Sequence, residues 1–185
     1  MAENDPFELD FTKLFNPQNK VDEPRQTPQQ EKKLTDEAVI GESKLTSNGY
    51  FVRINDMAPH RKPRNSPPVV LVVEDDPLTA ALITRILAAN GYVARHAANR
   101  AEIVEGIKGA LDLLILDVMM PDANGFDILN RLRQHPILKD MPVLMLTSLG
   151  SLDDILKGLK LGANGYLTKP ARSKALLDAI KQVLA

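Results

Sequence analysis

The chain contains no cysteine, which excludes disulfides and thiolate metal sites. It also lacks net charge: 23 Lys and Arg stand against 24 Asp and Glu, a formal −1. That balance gives no electrostatic reason to expect nucleic acid or an anionic membrane as a partner. No apolar run approaches the roughly 20 residues that a membrane span needs. The amino terminus, MAENDPFELD, is acidic and has neither the basic start nor the apolar stretch of a signal peptide. A soluble protein of the cytoplasm is therefore expected, and 185 residues suffice for one domain with a tail or two very small domains.

Residues 1–66 differ in composition from the rest. Eight of the 13 prolines fall by Pro68, apolar residues are sparse, and charges of both signs alternate with Gln, Asn and Ser. Such a segment buries too little apolar area to offset the entropy of ordering it, so a mostly disordered extension is expected. Two places within it stand out. In DPFELDFTKLF, Asp5, Pro6 and Glu8 can start a short helix over residues 5–15 that puts Phe7, Phe11, Leu14 and Phe15 on one face. A helix this short needs a partner for its apolar face, so it reads as a docking segment. After Asn48 and Gly49, a turn signal, Tyr50, Phe51, Val52 and Ile54 can form a short strand or an extended docking segment. His60, Arg61, Lys62 and Arg64 read as a solvated linker, and Pro67 with Pro68 marks the boundary of a second unit, residues 67–185.

From Val69 onward the pattern is regular. VVLVV (69–73) reads as a buried strand, followed by Asp76 and Pro77 opening a helix with Leu78, Leu82 and Ile86 on one stripe. Strands follow at 92–96, at LDLLILD ending on Asp117, at 141–148 and at 163–167. Helices are expected at 100–108, with Val104 and Ile107 inward, at 125–134, at 152–161 and at 171–184. Strict alternation of strand and helix predicts right-handed crossovers and an α/β fold of (βα)5 type, a doubly wound parallel five-stranded sheet with flavodoxin-like strand order.

In such a sheet the carboxyl ends of the strands form the ligand edge. Glu74 and Asp75 follow the first strand, Asp117 ends the third, Thr147 and Ser148 end the fourth, and Lys169 follows the fifth. Singly, each has an ordinary structural role: helix-start acids, a loop Asp, a strand-end hydroxyl, a surface charge. Their placement at successive strand ends argues for one site. Three carboxylates brought together raise one another's pKa unless a cation neutralises them. Mg²⁺ suits oxygen ligands of this kind. With Lys169 and a hydroxyl added, the set is shaped for a phosphoryl group, with Asp117 as nucleophile.

The segments VVEDDP (72–77), LDVMMPDANG (116–125), LTS (146–148) and YLTKP (166–170) carry a specific likeness. Residues 69–185 resemble the CheY-like receiver domain of two-component response regulators. The resemblance implies that Asp117 is the phosphoacceptor, and that Glu74 and Asp75 hold Mg²⁺ together with the Asp117 carboxylate and the Met119 backbone carbonyl. It likewise makes Thr147 the switch hydroxyl, Tyr166 the switch aromatic and Lys169 the phosphate contact, with a cis bond before Pro170. A histidine kinase or a histidine phosphotransfer protein is the implied donor, and homodimerisation can be linked to phosphorylation. His60, His96 and His135 are not placed to serve as donors. Met119 and Leu149 lie two positions beyond Asp117 and Thr147; both are apolar, so neither can orient a hydrolytic water, and a long-lived phosphoryl group is expected.

Nothing follows the last helix by Ala185 that would carry a separate output, so output by protein contact is expected, without catalysis beyond the protein's own phosphorylation and dephosphorylation. The alternative is a relay shuttle that passes the phosphoryl group to another histidine protein. A more distant reading is a phosphohydrolase with an Asp nucleophile, whose general acid would sit where Met119 stands and cannot serve.

Overall fold

The structure, a computed structural model, describes residues 22–53, 66–121, 123–148 and 151–185. In chain order the elements are α1 (Pro28–Asn48), β1 (Tyr50–Val52), β2 (Val69–Val73), α2 (Pro77–Ala89), β3 (Val93–Ala97) and α3 (Arg100–Gly106). They continue with β4 (Leu113–Asp117), α4 (Gly125–Gln134), β5 (Val143–Thr147), α5 (Leu152–Lys160), β6 (Gly165–Thr168) and α6 (Ser173–Leu184). The sheet order is β1-β6-β5-β4-β2-β3. The pairs from β3 through β6 are parallel, in the doubly wound arrangement expected.

The central strands β2, β4 and β5 are buried at every residue, because helices cover both faces. Val69, Leu71, Val73, Leu114, Leu116, Val143 and Met145 point into one core, while Val70, Val72, Leu113, Ile115, Leu144 and Leu146 point into the other. The first core takes its helical share from α1, α3, α4 and α5, and the second from α2 and α6. In α4 the expected Ile128, Leu129 and Leu132 are all buried. In α2 the buried stripe is Ala80, Ile83 and Leu87, and Leu78 and Leu82 are left exposed. Apolar residues surround much of this helix, and the small Ala80 lets it lie closer to the sheet than a leucine stripe would.

Arg133, at the end of α4, is half-buried and its guanidinium serves as a brace. Its Nε and one terminal nitrogen donate to the Gly162 carbonyl at 3.0 and 2.8 Å, and the other donates to the Met141 carbonyl at 2.8 Å. A further bond reaches Asn164 Oδ1 at 3.0 Å, and that same oxygen accepts from Val143 N–H at 2.8 Å. The segments entering β5 and β6 are thereby tied together. Burial draws the Arg133 pKa down to about 10, against the opposing pull of Asp140.

Residues 28–52 correct the expectation of a disordered extension. Thr27 and Gln30 form a capping box with Pro28 at the first helical position, and Gly49 closes α1 in the left-handed conformation at φ 79°, its N–H bonded to the Leu45 carbonyl. Leu34, Ala38, Gly41 and Leu45 are the buried side of α1. They meet α5, β1 and β6 and share one core with Phe51, Ile155, Leu159 and Tyr166. Gly41 permits this approach, since a Cβ there would lie 2.9 Å from the Phe51 ring and 3.3 Å from Ile155. The strand expected at residues 50–52 does form. It adds a sixth, antiparallel strand to the expected five, pairing Tyr50, Phe51 and Val52 with Leu167, Tyr166 and Gly165. Two of the four buried α1 positions are Ala and Gly, so the stripe is thin by composition and becomes stable only by docking. The expected helix at 5–15, Ile54 and the basic cluster at 60–64 lie outside the described residues.

Because α1 is part of the core, Leu45→Ala is expected to cost about 2–4 kcal/mol and to lower the melting temperature followed by circular dichroism. A flexible tail would leave that temperature unchanged.

Candidate functional site

Four strands deliver the site. The β2 strand runs into Glu74, which is fully buried, and Asp75. Asp76 turns away to cap α2, accepting from Thr79 N–H at 2.7 Å, and these bonds hold its carboxyl below the usual range. Asp117 ends β4 and is 2% exposed. Thr147 ends β5, buried. Lys169 follows β6, its N–H donating to the Thr147 carbonyl at 2.7 Å and its bond to Pro170 cis.

The ammonium of Lys169 lies between two acids, 2.8 Å from Glu74 Oε2, 2.9 Å from Glu74 Oε1 and 2.8 Å from Asp117 Oδ2. Asp117 Oδ1 accepts from Met119 N–H at 3.2 Å. Oxygens of Glu74, Asp75 and Asp117 lie within 4.8 Å of one another. Burial raises the Glu74 pKa, the charge of Asp117 adds to the rise, and the bond from Lys169 opposes it. Burial pulls Lys169 down, but its bonds to Asp117 and Glu74 outweigh that and keep it above its usual value. Lys169 is therefore an ammonium at all working pH values.

Three carboxylates against one ammonium leave the cluster two negative charges in excess. Glu74 Oε2 and Asp117 Oδ2 are buried and make no well-formed hydrogen bond beyond their ion pairs with Lys169. Hard oxygen donors with this charge fit a small divalent cation such as Mg²⁺. A cation held there would compete with a proton for Glu74.

Tyr166 belongs to a neighbouring compartment. It is fully buried on the α5 side of the sheet, its hydroxyl donating to the Asp154 carbonyl at 2.8 Å and to that of Ile155 at 3.3 Å. Burial, with the charge of Asp154, pushes its pKa well above the ordinary tyrosine value. Gly158 makes the room, since a Cβ there would collide with the Tyr166 hydroxyl. Met119 is 75% exposed, so its side chain borders the site without entering it. Leu149 is outside the described residues. His96 Nε2 lies 2.8 Å from the Glu74 carbonyl and plays a structural part, and His135 is on the surface side of the α4 terminus.

Two supporting residues escaped the sequence reading. Gly125 starts α4 against the Asp117 backbone, where any Cβ would strike the Asp117 carbonyl oxygen. Asn124 caps the same helix, accepting from Phe126 N–H at 2.9 Å, and bridges to Met119. The signal for both was present as Asn124 followed by Gly125 at a loop-to-helix junction, but only the fold shows what Gly125 abuts.

The sign of the Glu74 shift sets a pH dependence. Its folded-state pKa lies above the ordinary 4.5, so folding is eased by protonation at low pH, and the cost of the buried charge appears as pH rises through the raised value. Mg²⁺ offsets that cost only once the proton has left. The rise in melting temperature produced by Mg²⁺ should therefore grow as pH rises through the raised Glu74 value, and that growth should be lost in Glu74→Gln, as thermal scans with and without the ion would record.

A model of the response regulator receiver domain matches residues 70–181. The transcriptional regulatory protein CusR of Escherichia coli K12 is 40% identical over 116 residues, which is 62% of this chain and 50% of that protein. The DNA-binding dual master transcriptional regulator RpaA of Synechocystis is 37% identical over 124 residues, 63% of this chain and 49% of that protein. This chain thus spans about half the length of these relatives. Among solved structures, the chemotaxis protein CheY4 of Vibrio cholerae superposes with a TM-score of 0.61 at 32% identity, covering 64% of this chain and 100% of that one.

Proposed function

Since this chain belongs to the response regulator receiver domain family, we propose that it accepts a phosphoryl group on Asp117 from a histidine kinase or a histidine phosphotransfer protein, and signals through protein contacts that change on modification. Lys169 held between Glu74 and Asp117, with Asp75 alongside, is the observation that supports this most strongly.

In the proposed step a carboxylate oxygen of Asp117 attacks the phosphorus of the donor's phosphoimidazole. The new P–O bond forms as the P–N bond breaks, and the imidazole leaves with the electron pair and a proton from solvent. The Asp117 carboxylate is oriented for this by the Met119 N–H at 3.2 Å. Lys169 exchanges its contact with Asp117 Oδ2 for a phosphoryl oxygen, and the Thr147 hydroxyl donates to another. Mg²⁺, held by Glu74, Asp75, Asp117 and the Met119 carbonyl, would neutralise the charge that develops on the phosphoryl oxygens. Catalysis is confined to the protein's own phosphorylation and its reversal by water. Met119 offers that water no polar group, which favours a long-lived acyl phosphate.

No helix among the described residues is long and apolar enough to cross a membrane. CusR and RpaA are transcriptional regulators by name, so they lend no support to the expected absence of nucleic-acid contact. The protein-contact output proposed here rests on the receiver itself.

With Mg²⁺ and acetyl phosphate, the wild-type chain should gain one acid-stable, base-labile phosphoryl group, and Asp117→Asn should gain none. Lys169→Ala should slow labelling by about 10²-fold. Labelling of Asp117→Asn at the wild-type rate would refute the assignment. Met119→Asn should shorten the half-life of the phosphorylated protein, followed by loss of label after the donor is removed.

A further inference from the structure

The side of the sheet that carries Tyr166 and Lys169 is not bare. Residues 28–52 lie across α5 and β6, and two of their contacts fall on the short segment that carries Tyr166 and Lys169. The Gly49 carbonyl, at the turn between α1 and β1, accepts from Thr168 N–H at 3.0 Å and from the Thr168 hydroxyl at 3.2 Å. The next residue is Lys169, whose own N–H is bonded to the Thr147 carbonyl. The end of β6 is therefore pinned from both sides, by β5 and by the turn at Gly49, in the position from which Lys169 Nζ reaches Asp117.

The second contact concerns the aromatic. Phe51 pairs in register with Tyr166, and Leu34, Ala38, Leu45 and Phe51 join Tyr166, Ile155 and Leu159 in one core. Phe51 thus neighbours Tyr166 across the β1–β6 pair, on the face of the sheet where the Tyr166 hydroxyl meets the Asp154 carbonyl. Polar contacts fasten the outside: Arg53 to Glu37 at 2.9 Å, Arg53 N–H to the Asn164 carbonyl at 2.9 Å, and Gln182 to the Tyr50 hydroxyl at 2.9 Å.

We propose that the helix–strand unit of residues 28–52 is an intramolecular positioning element for the phosphoacceptor site, its docking on α5 and β6 positively coupled to occupancy of Asp117 through Thr168 and Tyr166. The proposal rests on the phosphoacceptor reading above. A docked unit holds the β6 end where Lys169 can meet a phosphoryl oxygen, so less ordering is left to that contact when it forms. Coupling of this kind is reciprocal: if docking tightens the occupied site, occupancy tightens docking by the same factor.

The full chain with Mg²⁺ and beryllofluoride, a non-covalent stand-in for the acyl phosphate, tests this in both directions. Amide hydrogen exchange across residues 28–53 should slow by about 10-fold when beryllofluoride binds, a typical coupling. Gly41→Leu, which drives a side chain into Phe51 and Ile155, should weaken beryllofluoride binding by the same factor. Ile40→Glu, on the exposed side of α1, should bind it as the wild type does. A merely structural role would lower the stability of Gly41→Leu without changing its affinity for beryllofluoride. Exchange that is unchanged or faster in the occupied wild type overturns the coupling, a result that needs no variant to fold. Failure of the wild type to bind beryllofluoride at all would instead overturn the phosphoacceptor assignment, and the coupling with it.

Discussion

The contact on which the site depends is the ammonium of Lys169 set between Glu74 and Asp117, at 2.8 Å from each. Burial and the neighbouring charge of Asp117 both oppose ionisation of Glu74. The lysine makes it possible for both to be charged there, yet leaves the cluster short of neutrality once Asp75 is counted. The result is a site that sets a buried carboxylate against a fixed positive charge and keeps negative charge that a further cation could balance. Each of the groups concerned stands within two residues of the end of a strand.

Parallel strand order converts sequence position into proximity. Glu74 and Lys169 are far apart in the chain, and β2 and β6 are separated in the sheet by β4 and β5. Only a side chain as long as lysine spans that gap from the outer strand to the acids. Gly125 matters for the same reason, because the helix that follows Asp117 must start directly against its carbonyl.

Much of this was legible in the residues. Strands such as VVLVV and LLILD are apolar on both faces, which fixes them as central, and an acid at the end of each then falls at the ligand edge. Helix α1 was not legible, since Leu34, Ala38, Gly41 and Leu45 make a stripe whose value lies in close approach to Phe51 and Ile155 rather than in its own hydrophobicity. The α2 stripe was misjudged for a related reason: on a helix apolar on several sides, the sheet selects Ala80, Ile83 and Leu87 for fit, and composition alone ranks the exposed Leu78 equally. Tyr166 stood out only through the family resemblance, and its inward orientation depends on the space that Gly158 leaves.

Strand β1 has a bearing on self-association. A parallel sheet ending at β6 would offer a row of unsatisfied amides and carbonyls to any passing chain, which is the usual route to intermolecular strand addition. Here that row is occupied by three residues of the same polypeptide, running in the opposite direction and backed by a 21-residue helix. A second molecule could pair with β6 itself only by first displacing β1, so strand exchange at this margin requires residues 50–52 to leave the sheet, whereas addition to the short β1 does not.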